Sequence, residues 1–479
     1  MASQHKNIVL LIADDLEQYI GSYGCRSIST PNLDRLAASG TQFTNAFAST
    51  ASCSGSRSTI FTGLHTHENG QYGLNWFKSH FQTFQHIDSA PKLFNQAGYK
   101  TGIIGKVHVG PDEVYSWVPL LEVKPEDVEV PRWLTDLPET RQELVEYYKA
   151  VNRTNTGVGL VYDALERQGL LDNTLVIFTS DNGPPSVNSK TTLYDAGIKL
   201  PLIVRQPSGK SGLVNPNMVS FIDILPTLLD WAELPLNMRS SDRDSRSPGS
   251  PARQGRSFMP ILPRADLLPD SDWQHHIFGS YAFHEMQNYW PTRILRTRRY
   301  KYHRNVAWRL DFPFAADLYA SISFEGIRNT ESPVVEQRGL CTPQSSIDYP
   351  IIILPYHTSV SVSTPVMIGR RILKDYISRP PEELYDLEND ADKVKNLAGE
   401  MEHENRLLEF RERVTEWQKL TKDLWLYRDG QSLTVNSRYA KDGLRIPERL
   451  DFDVNSPGTK DVVMTKHLTV DGYSAGIEK

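Results

Sequence analysis

In the N-terminal half of the chain, short apolar runs alternate with longer stretches whose apolar positions recur at helical spacing. Residues 7–13 and 174–179 are nearly continuous apolar runs of strand length, rich in β-branched residues, as expected of strands buried on both faces. Residues 101–104 and 200–205 read as two further strands. Between these runs the Pro and Gly positions predict helices. Thr30-Pro31 opens one over 32–38 that Gly40 stops, Gly63 closes one over 56–62, and Gly98 closes one over 91–96. Leu144, Tyr148, Val151, Val158, Val161 and Leu165 share a helical face over 143–168 before Gly169, and Pro226 starts a helix over 226–231.

Strands alternating with helices predict an α/β fold, a mostly parallel sheet flanked by helices. In such sheets, sites lie beyond the carboxyl ends of the strands. Asp14-Asp15, Lys106 with His108, and Asp181-Asn182 each follow a predicted strand, so they are expected to meet at one edge. Residues 240–256, rich in Ser, Arg, Asp and Pro, read as a linker. Beyond it the alternation over 293–304 predicts antiparallel strands, 386–398 an acidic turn leading to a helix, and 402–420 an amphipathic stretch. The expected division is an N-terminal catalytic domain over 1–262 and a smaller C-terminal α+β subdomain over 263–479, with an irregular insert near 338–378.

Composition narrows the function classes. The 479 residues are 39% hydrophobic and 23% charged, with a formal net charge of −6. That excludes a wholly disordered or fibrous chain and leaves no basic field to hold nucleic acid. No apolar run approaches the roughly 20 residues of a membrane span. The N-terminus MASQHK shows no signal-peptide pattern, so a cytoplasmic location is expected for the chain as written. Three cysteines, Cys25, Cys53 and Cys341, without CxxC spacing make neither a disulfide framework nor a zinc knuckle. The sequon Asn152-Arg153-Thr154 matters only in a secretory compartment.

Two carboxylates after one strand and an Asp-Asn pair after another are hard oxygen donors, suited to Ca²⁺ or Mg²⁺ rather than zinc. Either pair alone is better read as a helix cap or turn former; both together at strand ends favour a cation. Cys53 stands before a predicted helix with Arg57 four residues on, where a helix N-terminus and a guanidinium lower a thiol's pKa and attract anions. Its alternative is a small buried apolar side chain. Lys106, His108 and Lys190 could hold a tetrahedral oxyanion, or be solvated loop residues.

The stretches 7–15, CSGSRSTIFTG at 53–63, TGIIGKVHVG at 101–110 and TLVIFTSDNG at 174–183 resemble the sulfatases, in the family's order. GIIGKVHVGPDEVY, ENGQYGL at 68–74 and the run from His284 to Pro313 are most similar to its N-sulfoglucosamine sulfohydrolase (heparan N-sulfatase) branch, and ELYDLENDADKVKNLA at 383–398 resembles the sulfatase C-terminal subdomain. The resemblance covers most of 6–120, 143–320 and 383–420. It implies an alkaline-phosphatase-like fold and hydrolysis of sulfate esters or N-sulfate groups of sulfated sugars, as in glycosaminoglycan degradation. It implies a formylglycine made from Cys53 by a formylglycine-generating enzyme, whose hydrate attacks sulfur. It also implies Ca²⁺, with Mg²⁺ as the alternative, held by Asp14, Asp15, Asp181, Asn182 and residue 53. Arg57 matches the arginine beside the hydrate, Lys106 and Lys190 the cations on sulfate, and His108 a histidine beside the aldehyde. A homodimer is compatible with this reading, and no nucleic acid or membrane partner is expected.

The chain departs from the family at four places. Gly55 stands where the motif usually has Pro or Ala. No histidine occurs from Gly110 to Ser271, so the usual leaving-group acid and its strand are absent; His108 or Lys190 is expected to substitute in part, with an unaligned histidine such as His284 as the competing source. Asn155 replaces a frequent Asp, and 338–378 match nothing in the pattern. Weak or absent turnover is therefore expected. Two rival readings follow: an impaired pseudo-sulfatase that binds sulfated ligands, and a phosphodiesterase or phosphonate hydrolase of the same superfamily. Scarce histidine after strands disfavours the second.

Overall fold

The computed structural model describes residues 6–76, 79–103, 106, 108–111, 137–234, 251–329 and 366–426. The expected linker up to residue 250, most of the insert near 338–378 and the connection over 116–136 lie outside these residues.

Five strands, β1 (Asn7–Ala13), β2 (Thr41–Phe47), β3 (Thr174–Ser180), β4 (Leu202–Arg205) and β5 (Leu213–Ser220), form one sheet in the order β1-β3-β4-β2-β5. β1 runs parallel to β3 and β2 parallel to β5, while β4 runs against both neighbours. The α/β class stands: among the described residues four of the five strands run the same way, and β4 alone runs against them. The reason is local: β3 reaches β4 through a loop holding only the short helical turn Asp195–Ile198, and without a crossover helix the chain returns antiparallel.

Alternation along the strands builds two layers. Leu175 and Ile177 of β3 face one core, with Ile60 and Phe61 of α2 (Cys53–Thr62), Leu93 of α3 (Ala90–Gln96) and Leu228 of α5 (Ile224–Trp231). Val176 and Phe178 face the other core, with Leu33 and Leu36 of α1 (Pro31–Ala38) and Val151, Val158 and Tyr162 of α4 (Pro138–Arg167). Asn155 in α4 accepts the N–H groups of Asn32 (2.9 Å) and Leu33 (3.1 Å), so this departure from the family pattern caps α1.

A second, antiparallel sheet has the order β11-β8-β7-β6, from β6 (His276–Tyr281), β7 (Thr292–Thr297), β8 (Tyr300–Asn305) and β11 (Glu382–Asp386). Between β8 and β11 come α6 (Ile322–Arg328) and the hairpin β9 (Met367–Ile368)–β10 (Arg371–Ile372). Leu407, Phe410, Val414 and Trp417 of α7 (Glu404–Leu420) cover one face, while Ile277, Ile294 and Tyr385 join the core of the first sheet.

One predicted strand is missing. Residues 101–103 form no strand, and Ile104 lies outside the described residues. The Thr101 hydroxyl turns back to the Asn95 side chain (2.9 Å), and Gly102 weakens extended pairing. The helix expected over 56–62 starts three residues earlier, which puts Cys53 in its first turn.

Candidate active site

β1 and β3 run side by side with Ala13 opposite Ser180, so the next residues of both strands leave the sheet at the same edge. Asp15 takes a left-handed conformation (φ 57°), and its N–H donates to Asp181 Oδ1 at 3.0 Å. Asn182 Nδ2 donates to Asp15 Oδ1 at 2.6 Å. Asp181 and Asn182 are fully buried, and Gly183 follows because a Cβ there would lie 1.8 Å from the Ala196 carbonyl oxygen.

α2 aims its N-terminus at these groups. The Cys53 thiol donates to Asp15 Oδ1 at 3.7 Å, and ligand atoms of Asp14, Asp15 and Cys53 lie within 4.8 Å of one another. One turn on, Arg57 donates from Nε to Asp181 Oδ2 (2.8 Å), from Nη2 to Asp14 Oδ1 (3.3 Å) and from Nη1 to the Lys106 carbonyl (2.9 Å). It therefore ties the ends of β1 and β3 together. Lys106 Nζ sits on both Asp14 oxygens (2.6 and 2.8 Å). Lys190 Nζ bridges Asp15 Oδ2 (2.9 Å) and Asp317 Oδ2 (3.3 Å). His108 packs edge-on against Trp76, with its buried Nδ1 unpartnered among the described residues.

Electrostatics corrects one expectation. The helix N-terminus and Arg57 were reasons for a lowered Cys53 pKa, but burial pushes it well up, and Asp15, Asp181 and Asp14 add to that against Lys190. An unmodified Cys53 is a thiol here. Burial also opposes ionisation of Asp14, yet Lys106 and Arg57 outweigh it and hold that carboxyl well below the usual range. Burial opposes the Lys190 charge too, but Asp15 holds its ammonium protonated.

The donor set fits a hard cation. Asp14, Asp15 and Asp181 bring carboxylates, and Asn182 Oδ1 is buried without a hydrogen-bond partner. The three carboxylates are shared among Arg57, Lys106 and Lys190, so charge is balanced across the group.

The structure thus brings together Asp14, Asp15, Cys53, Arg57, Lys106, Asp181, Asn182 and Lys190, with His108 near enough that, after burial, the Lys106 charge helps push its pKa down to about 4. Two participants carry no local sequence signal. Ser52, just before Cys53, meets His284 Nδ1 at 3.0 Å, and Asp317 arrives at the start of the short helix Ala316–Tyr319. His284 is buried by the same packing, and its Nε2 bonds nothing among the described residues.

A family model described as Sulfatase matches residues 6–120 and 121–234. The chain is similar to the N-sulphoglucosamine sulphohydrolase of Homo sapiens, 30% identical over 88% of this chain and 91% of that protein. A protein solved in complex with its substrate D-glucosamine-2-N,6-O-disulfate has TM-score 0.56, 18% identity, and coverage of 88% of this chain and 99% of its own. The phosphonate monoester hydrolase of Agrobacterium radiobacter has TM-score 0.53, 15% identity, and coverage of 88% and 97%. These two share the fold, which by itself does not choose between sulfur and phosphorus chemistry.

Proposed function

The chain belongs to the sulfatase family, and from that premise we propose that it hydrolyses sulfate esters or N-sulfate groups of sulfated sugars, with residue 53 as nucleophile. The observation that carries this reading is the placement of Cys53 at a helix N-terminus, between Asp15 and the cations Arg57, Lys106 and Lys190. The similarity to the human N-sulphoglucosamine sulphohydrolase supports an amino sugar carrying N-sulfate as substrate.

Asp14, Asp15, Asp181 and Asn182 would hold Ca²⁺ beside residue 53, and the ion would polarise the sulfuryl group as a Lewis acid. Conversion of Cys53 to formylglycine would replace a protonated thiol with an aldehyde whose hydrate offers an oxygen nucleophile. The remaining work falls to side chains that are present. Arg57 holds Asp14 and Asp181 in place and favours their charged forms, against burial that raises Asp181. Lys106 and Lys190 reach the sulfuryl oxygens by releasing the carboxylates that now hold them, and offset the charge that develops there.

The leaving group needs a proton, and we assign that role to His284, whose contact with Ser52 beside residue 53 supports it. Ser52 Oγ and His284 Nδ1 are hydrogen-bonded at 3.0 Å, and the tautomer in which the hydroxyl donates puts the imidazole proton on Nε2, the nitrogen that no described residue occupies. Burial and then Lys190 push the His284 pKa down to about 3, so at neutral pH the ring is neutral and delivers a proton to the leaving atom only after taking one up, as the imidazolium.

The test is full-length protein made with a formylglycine-generating enzyme. Mass spectrometry of the Cys53 peptide reads conversion, and release of sulfate from N-sulfoglucosamine and from an aryl sulfate reads turnover. Turnover of the amino-sugar sulfamate is expected. Full conversion without sulfate release from either substrate overturns the reading in favour of a sulfated-ligand binding protein. Faster cleavage of a phosphonate monoester would favour the phosphorus rival.

A further inference from the structure

Where the two sheets meet, one carboxylate is surrounded by four cations. Asp195 heads the helical turn Asp195–Ile198, and Lys199 ends it. Arg296 of β7 and Lys301 of β8 are paired directly across their hairpin and reach Asp195 from the second sheet. Lys301 Nζ lies 2.6 Å from Asp195 Oδ1, Arg296 Nη2 3.2 Å from Oδ2, and Lys393 Nζ, from the turn after β11, 3.9 Å from Oδ2.

A salt link that merely fastens the sheets needs about one cation per carboxylate, and here the surplus is large. The other carboxylates acting on the group do not remove it. Asp392 is already bonded to Arg370 at 2.7 Å, Glu17 acts on Lys199 more weakly than Asp195 does, and Arg371 adds another positive charge beside Lys393. Donors are in surplus too. Arg296 Nε is buried and unpartnered among the described residues, and the Lys199 ammonium has no partner among them. Buried charge without a counter-charge is unfavourable, so the cluster must either lose protons or gain an anion. Burial pushes the Lys301 ammonium down to about 7 against the pull of Asp195, and Lys199 and Lys393 shift the same way. The Asp195 side chain keeps 18% of its surface exposed, so solvent ions reach the group.

We propose that Lys199, Arg296, Lys301 and Lys393 bind one tetrahedral oxyanion, inorganic sulfate or phosphate, beside Asp195. None of the four bonds Asp14, Asp15, Asp181 or Cys53, so the site is separate from the cleft and does not depend on hydrolysis there. The anion shares Lys301 and Arg296 with Asp195 and draws in the donors that are now unspent.

The test titrates sulfate and phosphate, in separate arms at constant ionic strength in chloride buffer, into the full chain, reading Tm and heat of binding. A Lys190→Ala background removes anion binding in the cleft. A saturable rise in Tm is expected there, since a ligand bound only by the folded state stabilises it. Lys301→Met and Lys393→Gln should each weaken binding about 10- to 100-fold, the share of one charge-assisted contact. The arm that saturates at lower concentration identifies the anion. The proposal is overturned if Lys190→Ala abolishes the rise, or if Lys393→Gln, shown by its anion-free Tm and circular dichroism to be folded, binds as tightly as the parent.

Discussion

Arg57→Ala is the substitution whose consequences the site fixes most tightly. The guanidinium is almost fully buried, and its Nε donates at 2.8 Å to Asp181, whose side chain has no exposed surface. Removing one partner of such a pair leaves the other charge buried and unpaired, which costs about 3–5 kcal/mol. Burial and the neighbouring Asp14 already press the Asp181 pKa up to about 7, so at neutral pH the orphaned carboxyl escapes partly by taking a proton. The loss should therefore sit near the lower end, about 3 kcal/mol, out of the roughly 5–15 kcal/mol typical of a folded domain. Urea unfolding in EDTA, followed by tryptophan fluorescence, measures it. Arg57→Ala/Asp181→Asn should recover part of the loss, because the two sites share one contact and cannot add independently. A loss below about 1 kcal/mol, or strictly additive single and double variants, would refute the view that Arg57 holds the two strand ends together.

Three further outcomes follow. His284→Gln should lower kcat for sulfate release about 10²- to 10⁴-fold with KM little changed, as removal of a proton donor does; an unchanged kcat assigns the proton elsewhere. Lys301→Met should flatten a pH slope of stability. An unfolded lysine titrates near 10.5 but Lys301 near 7, so between those values the unfolded chain holds more protons and parent stability rises with pH. Equal slopes in parent and variant, from urea midpoints in sulfate-free buffer, would contradict the placement of that charge. Gly55→Ala, one of the family's usual residues, puts a Cβ 3.0 Å from Thr50 Cγ2 and 3.2 Å from Thr66 Cγ2. Overpacking of about 1–3 kcal/mol should exceed the helical gain of about 1 kcal/mol, so the urea midpoint falls, and a raised midpoint would show that the two threonines give way.

What could be read in the sequence depended on whether a residue's partners were local. β1 and β3 announce themselves because strands buried on both faces are apolar throughout, and the acidic pairs after them follow from where such strands end. β2 and β5 do not, because their polar residues are satisfied by distant groups. The Thr41 hydroxyl bonds the Leu262 carbonyl (2.8 Å), Asn215 Nδ2 the Ile261 carbonyl (2.7 Å) and Asn217 Nδ2 the Asp266 carbonyl (3.0 Å). Pro216 makes β5 look like a loop, yet it falls where the β2–β5 register shifts, on a strand at the sheet's edge, so no ladder bond is lost.

The same rule divides the site. Cys53 and Arg57 lie one helical turn apart and could be paired on paper, but the direction of the Cys53 shift could not. Arg57 turned out to spend its donors on Asp14 and Asp181, which left the thiol facing carboxylates. His284 and Asp317 belong to the half of the chain with the least regular texture, and only the docking of the second sheet brings them to Ser52 and Lys190. A proton donor supplied from there has no strand of its own to mark it. A gap in a motif, such as the absent histidine between Gly110 and Ser271, therefore tells where a group is not, while the fold decides whether another has replaced it.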